Sequence, residues 1–412
     1  MAIEGNFQLS QRYQNFAEHA LLYQAICAAL AGDRYLLTTY AASSNSWEML
    51  LGIAREESLA PLLCWEFDRR GWPVGCPGTV RRLLEGEYYR SAGRNALLLS
   101  ELGRILVRLQ EAGISALVLK GAALAVCLYP DPALRPMADL DIWIPSRQLE
   151  QAIELLNGLG YCETRIELGE GLNRAVGYHV CLVNKTINQA AVELHWNLLA
   201  GDSDLRQPPQ EWFWEHATPL HLAGAMGHLP VSALRLDYTA NLLYLMGHLY
   251  YKHGGELSQA LWMYDIHLLI LKASDSIQWD MLFKKADELG WSAALERILA
   301  QVQARFGTQL PVSLSFGKNA QARPGVRPPL RQTGLPAEPK RNTWNYLSSL
   351  RWQARMRVLR FLIFPSPAHM RWRYQPKPAC LWPLFYPYRW SQMLKDTWRL
   401  LVSSLSANAS RR

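Results

Sequence analysis

Apolar residues in the first hundred positions of the chain recur with the spacing of helices. A stripe that includes Leu22 and Ile26 is followed by a second, longer helical pattern over residues 79–112. Gly113 supplies the stop signal that commonly follows the last turn of a helix. The pattern therefore predicts a helical N-terminal lobe over residues 1–112.

The apolar period changes after this lobe. Short apolar runs bounded by turn residues predict strands, and longer runs with a period near 3.6 predict helices. Together they predict a small α/β core over residues 113–200. Its predicted strands cover residues 115–119, 139–144, 161–166, 179–183 and 190–198, and its predicted helices cover residues 121–128 and 146–159.

Helical periodicity returns in the third part of the chain, from about residue 234 to residue 306. We expect a C-terminal helical lobe over residues 201–317, and then a Pro-rich linker and a basic, aromatic tail over residues 318–412. The predicted fold class is α+β, with a small mixed-sheet core between two helical lobes. The clearest predicted helices of the third part cover residues 238–251, 257–271 and 279–289.

Composition excludes two broad classes of protein. Half of the 412 residues are hydrophobic and 19% are charged, which excludes a chain that is disordered throughout. The apolar runs are shorter than the roughly 18 residues that a membrane-spanning helix needs, and the N-terminus lacks a signal-peptide pattern, so we expect a cytoplasmic protein.

The seven cysteines are scattered without zinc-site spacing, and we expect reduced thiols.

Charge is divided unevenly along the chain. Residues 318–412 hold 18 Lys and Arg against two acids, whereas the whole chain has a net charge of only +8. Arg alternates with Trp and Tyr over residues 341–390. Three partners suit such a tail: the acidic body of the same chain, an anionic membrane surface or acidic protein partner, or a nucleic acid.

Two predicted strands carry carboxylates that suit a metal site. Asp139 and Asp141 are two residues apart, so both side chains project from one face of their strand. Neighbouring carboxylates repel unless a cation compensates them, and Mg²⁺ prefers such oxygen ligands. Glu193 and His195 share the polar face of the strand at residues 190–198 and offer a third acid. Each of these patterns also occurs on ordinary solvent-facing strands.

The junction between the strand at 115–119 and the following helix suits a phosphate group. Gly121 permits close backbone approach, and the free N–H groups of a helix N-terminus attract anions. Lys120 adds a positive charge at this point, and Ala122 follows in the helix. The alternative interpretation is a tight turn that needs glycine for backbone reasons alone.

The order of these motifs resembles that of the polymerase-β-like nucleotidyltransferase superfamily. The motifs are Leu-Lys-Gly-Ala at 119–122, Asp-Leu-Asp at 139–141 and Glu-Leu-His-Trp at 193–196. The chain looks most like a bacterial branch of uncharacterised nucleotidyltransferases, over about residues 100–290. The resemblance implies transfer of a nucleoside monophosphate from a nucleoside triphosphate to the hydroxyl of an unknown acceptor, with Mg²⁺ at a two-metal site and release of pyrophosphate.

The resemblance also implies roles for particular residues. The expected acceptor is a small molecule, a protein or an RNA. Two alternatives to nucleotidyl transfer of this kind are a catalytically inactive relative that acts as a scaffold protein and an RNA-directed nucleotidyltransferase. The implied catalytic and metal-binding residues are Asp139, Asp141 and Glu193, the implied nucleotide contacts are Lys120, Gly121, Ala122 and Arg135, and the residues expected near the acceptor or behind the metal ligands are His195, His248, His253 and Asp265.

Overall fold

The described residues form two compact units. One unit contains every described strand and the helices that precede residue 311, and the other contains the described helices from residue 352 onward. The computed structural model describes residues 18–41, 43–164, 178–187, 190–198, 210–220, 233–253, 259–310, 352–365, 367–374 and 378–395.

The described residues between 18 and 111 form five helices, in the part of the chain where the apolar pattern predicts helical structure. The Ser43 side chain accepts a hydrogen bond from the N–H of Ser46, which caps the third helix. Gly113 adopts a φ of +69° just after the fifth, where a glycine avoids the strain of a left-handed backbone. The helices are α1 (residues 18–30), α2 (Tyr35–Tyr40), α3 (Ser44–Glu56), α4 (Ala60–Arg70) and α5 (Gly78–Glu111).

Within the part of the chain that the structure describes, seven strands form one mixed sheet, and the predicted α+β class is confirmed. The strands lie in the order β3-β4-β5-β2-β1-β7-β6. The strands β1 to β5 correspond to predicted strands. β4 is one residue longer than predicted and the other four are shorter, and residues 165 and 166 lie outside the described part. The strands are β1 (Leu117–Val118), β2 (Asp139–Trp143), β3 (Cys162–Glu163), β4 (His179–Asn184), β5 (Ala190–His195), β6 (Ala217–Leu220) and β7 (Ala233–Leu236).

Strand pairing places the predicted functional residues next to one another. β2 lies in the middle of the sheet, parallel to β5 and antiparallel to β1. The register of β2 and β5 sets Asp141 directly opposite Glu193. Side chains directly opposite each other on neighbouring strands lie on the same face of a sheet, so the two carboxylates meet there.

The two short helices of the core lie close to their predicted positions. The helix α6 (Lys120–Cys127) starts one residue after Leu119, which has an extended backbone. The segment expected to be helical from residue 146 begins instead with a 3₁₀ turn (Ser146–Gln148), and the α-helix that follows is α7 (Leu149–Gly158).

The part of the chain after residue 200 is helical but adds two strands. β6 and β7 were not predicted, and Leu234, where we expected helical structure to begin, lies in β7 instead. Gly247 packs against Trp291 so closely that an added Cβ atom would collide with the indole ring. The helices are α8 (Gln210–Glu215), α9 (Tyr238–His253), α10 (Ala260–Ala273), α11 (Trp279–Leu289) and α12 (Ser292–Phe306).

In the first of the two units, the buried side chains of the described residues form two clusters. One joins the N-terminal helices to the helices that follow the sheet, and the other lies between the sheet and the helices α5 and α7. The long helix α5 contributes to both, with Val80 and Leu84 in the first cluster and Leu98 and Leu102 in the second. A single helix therefore connects the N-terminal lobe to the sheet.

The second unit consists of short helices held by aromatic side chains. The Trp390 indole donates a hydrogen bond to the backbone oxygen of Ile363 at 2.8 Å. Among the described residues, no helix has both the length and the apolar character that crossing a membrane would require. The elements are α13 (Trp352–Ile363), α14 (Pro367–Tyr374), a 3₁₀ segment (Ala379–Leu384) and α15 (residues 385–395).

Candidate active site

A cluster of two carboxylates and an imidazole lies on the neighbouring strands β2 and β5. One ligand atom from each of Asp141, Glu193 and His195 can be chosen so that all three lie within 4.8 Å of one another. His195 Nε2 is 2.9 Å from Asp141 Oδ1 and 3.5 Å from Glu193 Oε2. His195 is fully buried, and its Nε2 lies within contact distance of both carboxylates.

Lys120 reaches into this cluster from the start of α6. Its backbone has a left-handed φ of +44°, which is uncommon for a residue with a side chain. Its Nζ lies 2.6 Å from Asp141 Oδ1 and 3.9 Å from Glu193 Oε2. Burial acts to lower the pKa of Lys120, but the nearby Tyr244, Asp141 and Glu193 raise it above its ordinary value. The ammonium therefore stays charged at neutral pH.

The two aspartates of β2 differ in their electrostatics. Burial alone would raise the pKa of Asp141, yet the charge of Lys120 and the contact with His195 hold it well below its ordinary value. No described cationic side chain forms an ion pair of this kind with Asp139. Burial and the charges of Asp141 and Glu193 raise the pKa of Asp139 to about 6. The negative charge that crowds Asp139 is the environment that a bound cation would relieve.

Arg135 is held by a buried ion pair. Its Nη2 and Nε donate to Asp265 at 2.7 and 2.9 Å, and the Tyr129 hydroxyl donates to the same carboxylate at 2.7 Å. Arg135 is 6% exposed and Asp265 is 1% exposed. A Cβ atom on Gly121 would lie 2.8 Å from Arg135 Nη1, so this position needs glycine. Burial opposes the charge of Arg135, but Asp265 raises its pKa.

A row of polar side chains on α5 positions the loop that leads into β2. Ser91 donates to the backbone oxygen of Ala133, and Asn95 donates to that of Arg135 at 2.8 Å. Tyr88 donates to the Asp131 carboxylate at 2.5 Å. These contacts were not predicted from the sequence. The signal was present, because residues 88, 91 and 95 are three and four positions apart and so form a polar stripe on one face of the helix.

A cavity of about 450 Å³ lies beside the carboxylates of β2 and β5. Its polar wall includes Lys120, Gly121, Asp139, Asp141 and Glu193. The opposite wall comes from the helices α9 and α10 and is largely apolar. The residues of that wall are Leu245, His248, Leu249, Leu261, Trp262 and Asp265.

The histidines predicted near the site occupy different settings. His248 lies in the cavity wall, and its ring stacks on Tyr244 with centroids 5.8 Å apart. His253 belongs to the last turn of α9, but its side chain lies outside the described residues. His179 was not predicted, and its Nε2 is 3.5 Å from Glu193 Oε1. Ala122 is buried in the first turn of α6.

Comparison with known proteins identifies the family. A family model described as an uncharacterised nucleotidyltransferase matches residues 43–307, which is more than half of the chain. The chain belongs to this uncharacterised nucleotidyltransferase family. The resemblance inferred from the Lys-Gly, Asp-Leu-Asp and Glu-Leu-His motifs is thereby confirmed, and membership places the protein among the transferases. No curated protein matches the chain.

Two solved structures are similar to part of this chain. The solution structure of the antibiotic-resistance factor ANT(2'')-Ia is 12% identical with a TM-score of 0.32, and the match covers 53% of this chain and all of that one. The crystal structure of an antigenic nucleotidyltransferase-like protein from Paracoccidioides brasiliensis is 14% identical with a TM-score of 0.32. That match covers 52% of this chain and 94% of the other.

The donor set of this nucleotidyltransferase fits a divalent cation. Asp141 and Glu193 offer oxygen ligands, and His195 adds a nitrogen ligand that Mn²⁺ and Zn²⁺ accept more readily than Mg²⁺ does. Asp139 lines the same cavity but is not part of this three-residue group. The residues therefore suit at least one metal ion, with Asp139 available from the same strand.

Proposed function

We propose that the protein transfers a nucleoside monophosphate from a nucleoside triphosphate to an acceptor hydroxyl, with a divalent metal ion, preferably Mg²⁺, at the carboxylates. The observation that carries the proposal is the register of β2 and β5, which sets Asp141 opposite Glu193 beside the start of α6. Carboxylates, an ammonium group and a helix N-terminus then converge on one cavity, as binding of a metal-bound triphosphate requires.

Each part of the cavity has a proposed role. Asp139, Asp141 and Glu193 hold the metal, which neutralises charge on the phosphates when it is bound. Lys120 and the backbone of Gly121 contact the triphosphate. The apolar residues of α9 and α10, including Trp262, provide a surface for the base and the ribose. The guanidinium of Arg135 already binds Asp265. A contact of Arg135 with the nucleotide therefore stays a prediction.

The reaction is an in-line displacement at the α-phosphorus. The acceptor oxygen forms a bond to this phosphorus, and the bond from the phosphorus to the oxygen that bridges it to the β-phosphate breaks. Pyrophosphate leaves with the electron pair of that bond. As an alternative to holding the metal, Glu193, which lines the cavity, takes the proton of the acceptor hydroxyl.

Calorimetry with each of the four nucleoside triphosphates tests this proposal. We expect one nucleotide to bind in the presence of Mg²⁺ and to lose at least about a hundredfold in affinity when EDTA replaces the metal. The Asp139→Ala/Asp141→Ala variant should lose the same metal-dependent part of its affinity for the nucleotide. Asp275→Asn, a surface substitution on a 3₁₀ turn, is the matched control. Absence of nucleotide binding by the folded wild-type protein would contradict the proposal and favour a scaffold role.

For the second unit, we propose that it binds an anionic membrane surface. Large apolar side chains are exposed on its helices, among them Trp352, Phe364, Leu384 and Leu394 at 70, 59, 68 and 72%. Arginines lie between these residues in the sequence. Basic residues that alternate with exposed aromatic and aliphatic ones suit the boundary between lipid headgroups and acyl chains.

Sedimentation with lipid vesicles checks this second proposal. Vesicles with about one third anionic lipid should bind the full-length protein about tenfold more strongly than neutral vesicles. The Trp352→Ala/Phe364→Ala/Leu394→Ala variant should lose most of this binding. Val74→Ala, at a 98% exposed apolar position of the first unit, is the control. Equal sedimentation with both kinds of vesicle would contradict the preference for an anionic surface, and no sedimentation with either would exclude the membrane role.

A further inference from the structure

A second cavity of about 210 Å³ lies next to the nucleotidyltransferase cavity. Ser58, Pro136 and Met137 line both cavities. Pro136 and Met137 belong to the segment that runs directly into Asp139 on β2. Any molecule bound in the second cavity therefore lies within reach of the proposed reaction centre.

Arginines dominate the charge of this second cavity. Arg55 from α3 and Arg90 and Arg94 from α5 line it, and Glu87 is the one acid among the described residues that line it. The cavity therefore has an excess of two positive charges. Arg90 and Arg94 are four residues apart on the same helix, a spacing at which like charges repel and which favours a bound anion.

Glu87 organises two of the three guanidinium groups. Arg55 Nε donates to Glu87 Oε1 at 2.6 Å, and Arg90 Nη1 donates to Glu87 Oε2. The contacts with Arg90 and Arg55 outweigh burial and lower the pKa of Glu87, so the carboxylate stays charged. The bridge holds arginines from two helices side by side, and each guanidinium keeps further N–H donors beyond those that Glu87 accepts.

Arg94 connects this cavity to the carboxylates. Its Nη2 donates to the backbone oxygen of Ala138 at 3.0 Å, immediately before Asp139. The wall shared by the two cavities is fixed from the other side as well. Ser58 has a left-handed φ of +57°, and its hydroxyl accepts a hydrogen bond from Gln259 at 3.2 Å. A left-handed backbone at a residue other than glycine persists only where the surrounding structure stabilises it. Such positions often lie at functional sites.

We propose that the second cavity binds the acceptor, and that the acceptor carries a phosphate monoester. Guanidinium groups suit this ligand because their planar N–H donors match the oxygens of a phosphate dianion. The phosphate of the acceptor lies between Arg55 and Arg90, and its hydroxyl faces the nucleotide across Pro136 and Met137. The proposal rests on the proposed transfer reaction, for which it names the substrate class.

Inorganic phosphate is the probe, added without Mg²⁺ or nucleotide and followed by calorimetry on the full-length protein. Arg55→Gln/Arg90→Gln should weaken phosphate binding at least about tenfold. Glu87→Gln should strengthen it about threefold, because both arginines then lose their internal partner. An unfolded variant cannot produce this gain. The control variant Arg82→Gln/Arg108→Gln also removes two positive charges, both of them from α5. It should bind phosphate as the wild type does.

The results also separate this proposal from the proposed function. Unchanged phosphate binding by Arg55→Gln/Arg90→Gln, or weaker binding by Glu87→Gln, would overturn the acceptor site. An equal loss of affinity of Arg55→Gln/Arg90→Gln for the metal-bound nucleoside triphosphate would also overturn the acceptor site. The arginines would then bind the triphosphate itself. If no nucleotide binds while phosphate still depends on Arg55 and Arg90, the transfer reaction fails and the anion site stands.

Discussion

Replacing Asp141 with asparagine should reduce nucleotidyl transfer at least about a thousandfold, which corresponds to about 4 kcal/mol of transition-state stabilisation. Asp141 is the carboxylate that contacts both Lys120 and His195. An amide in its place is a weaker metal ligand and removes the negative charge that faces Lys120. Release of labelled pyrophosphate from the nucleoside triphosphate that binds, measured with a panel of phosphorylated acceptors, provides the assay.

Two controls accompany this substitution. Asp275→Asn removes a carboxylate from an exposed 3₁₀ turn and should leave the rate unchanged. Circular dichroism and thermal unfolding should show that Asp141→Asn is folded, since loss of structure would also abolish activity. A folded Asp141→Asn protein with the wild-type rate would show that this carboxylate does not support the reaction.

The second large effect concerns the stability of the protein. Asp265→Ala should lower the free energy of unfolding by about 3 to 5 kcal/mol, because it leaves the buried Arg135 guanidinium without its partner. The same change removes the acceptor of the Tyr129 hydroxyl. Urea unfolding followed by tryptophan fluorescence provides the measurement, with Asp275→Ala as the exposed control.

Removing both partners of this pair separates charge from packing. Arg135→Met/Asp265→Leu should recover most of the lost stability, because no buried charge then remains uncompensated. The double variant should still be impaired in nucleotide binding, since Arg135 packs directly against Gly121 at the start of α6. A double variant as unstable as Asp265→Ala would show that the ion pair contributes through its shape and not through its charge.

Local patterns predicted much of the fold and part of the candidate site. The period of the apolar residues predicted α5 to within one residue at each end. The alternation of acid and apolar residues predicted β2, and the polar face of β5 predicted that Glu193 and His195 lie together. These predictions succeeded because strand and helix periodicity determines which side chains share a face.

Other features depend on contacts between distant parts of the chain. Arg135 and Asp265 are separated by 130 positions, and the sequence suggested a triphosphate contact for the arginine, with no indication that it pairs with Asp265. β6 and β7 have four residues each, too few to show a period, and Pro219 in β6 is a residue that strands seldom contain. The contact of Lys120 with Asp141 likewise depends on the left-handed backbone at Lys120.

The length of α5 has a consequence for how the protein unfolds. Its 34 residues extend for about 50 Å and enter both clusters of buried side chains. Melting of either end exposes apolar surface in the cluster at that end and loosens the loop that Ser91 and Asn95 hold. We therefore expect the N-terminal lobe and the strands that carry the carboxylates to unfold as one cooperative unit, so that the sheet expressed without α5 would not fold.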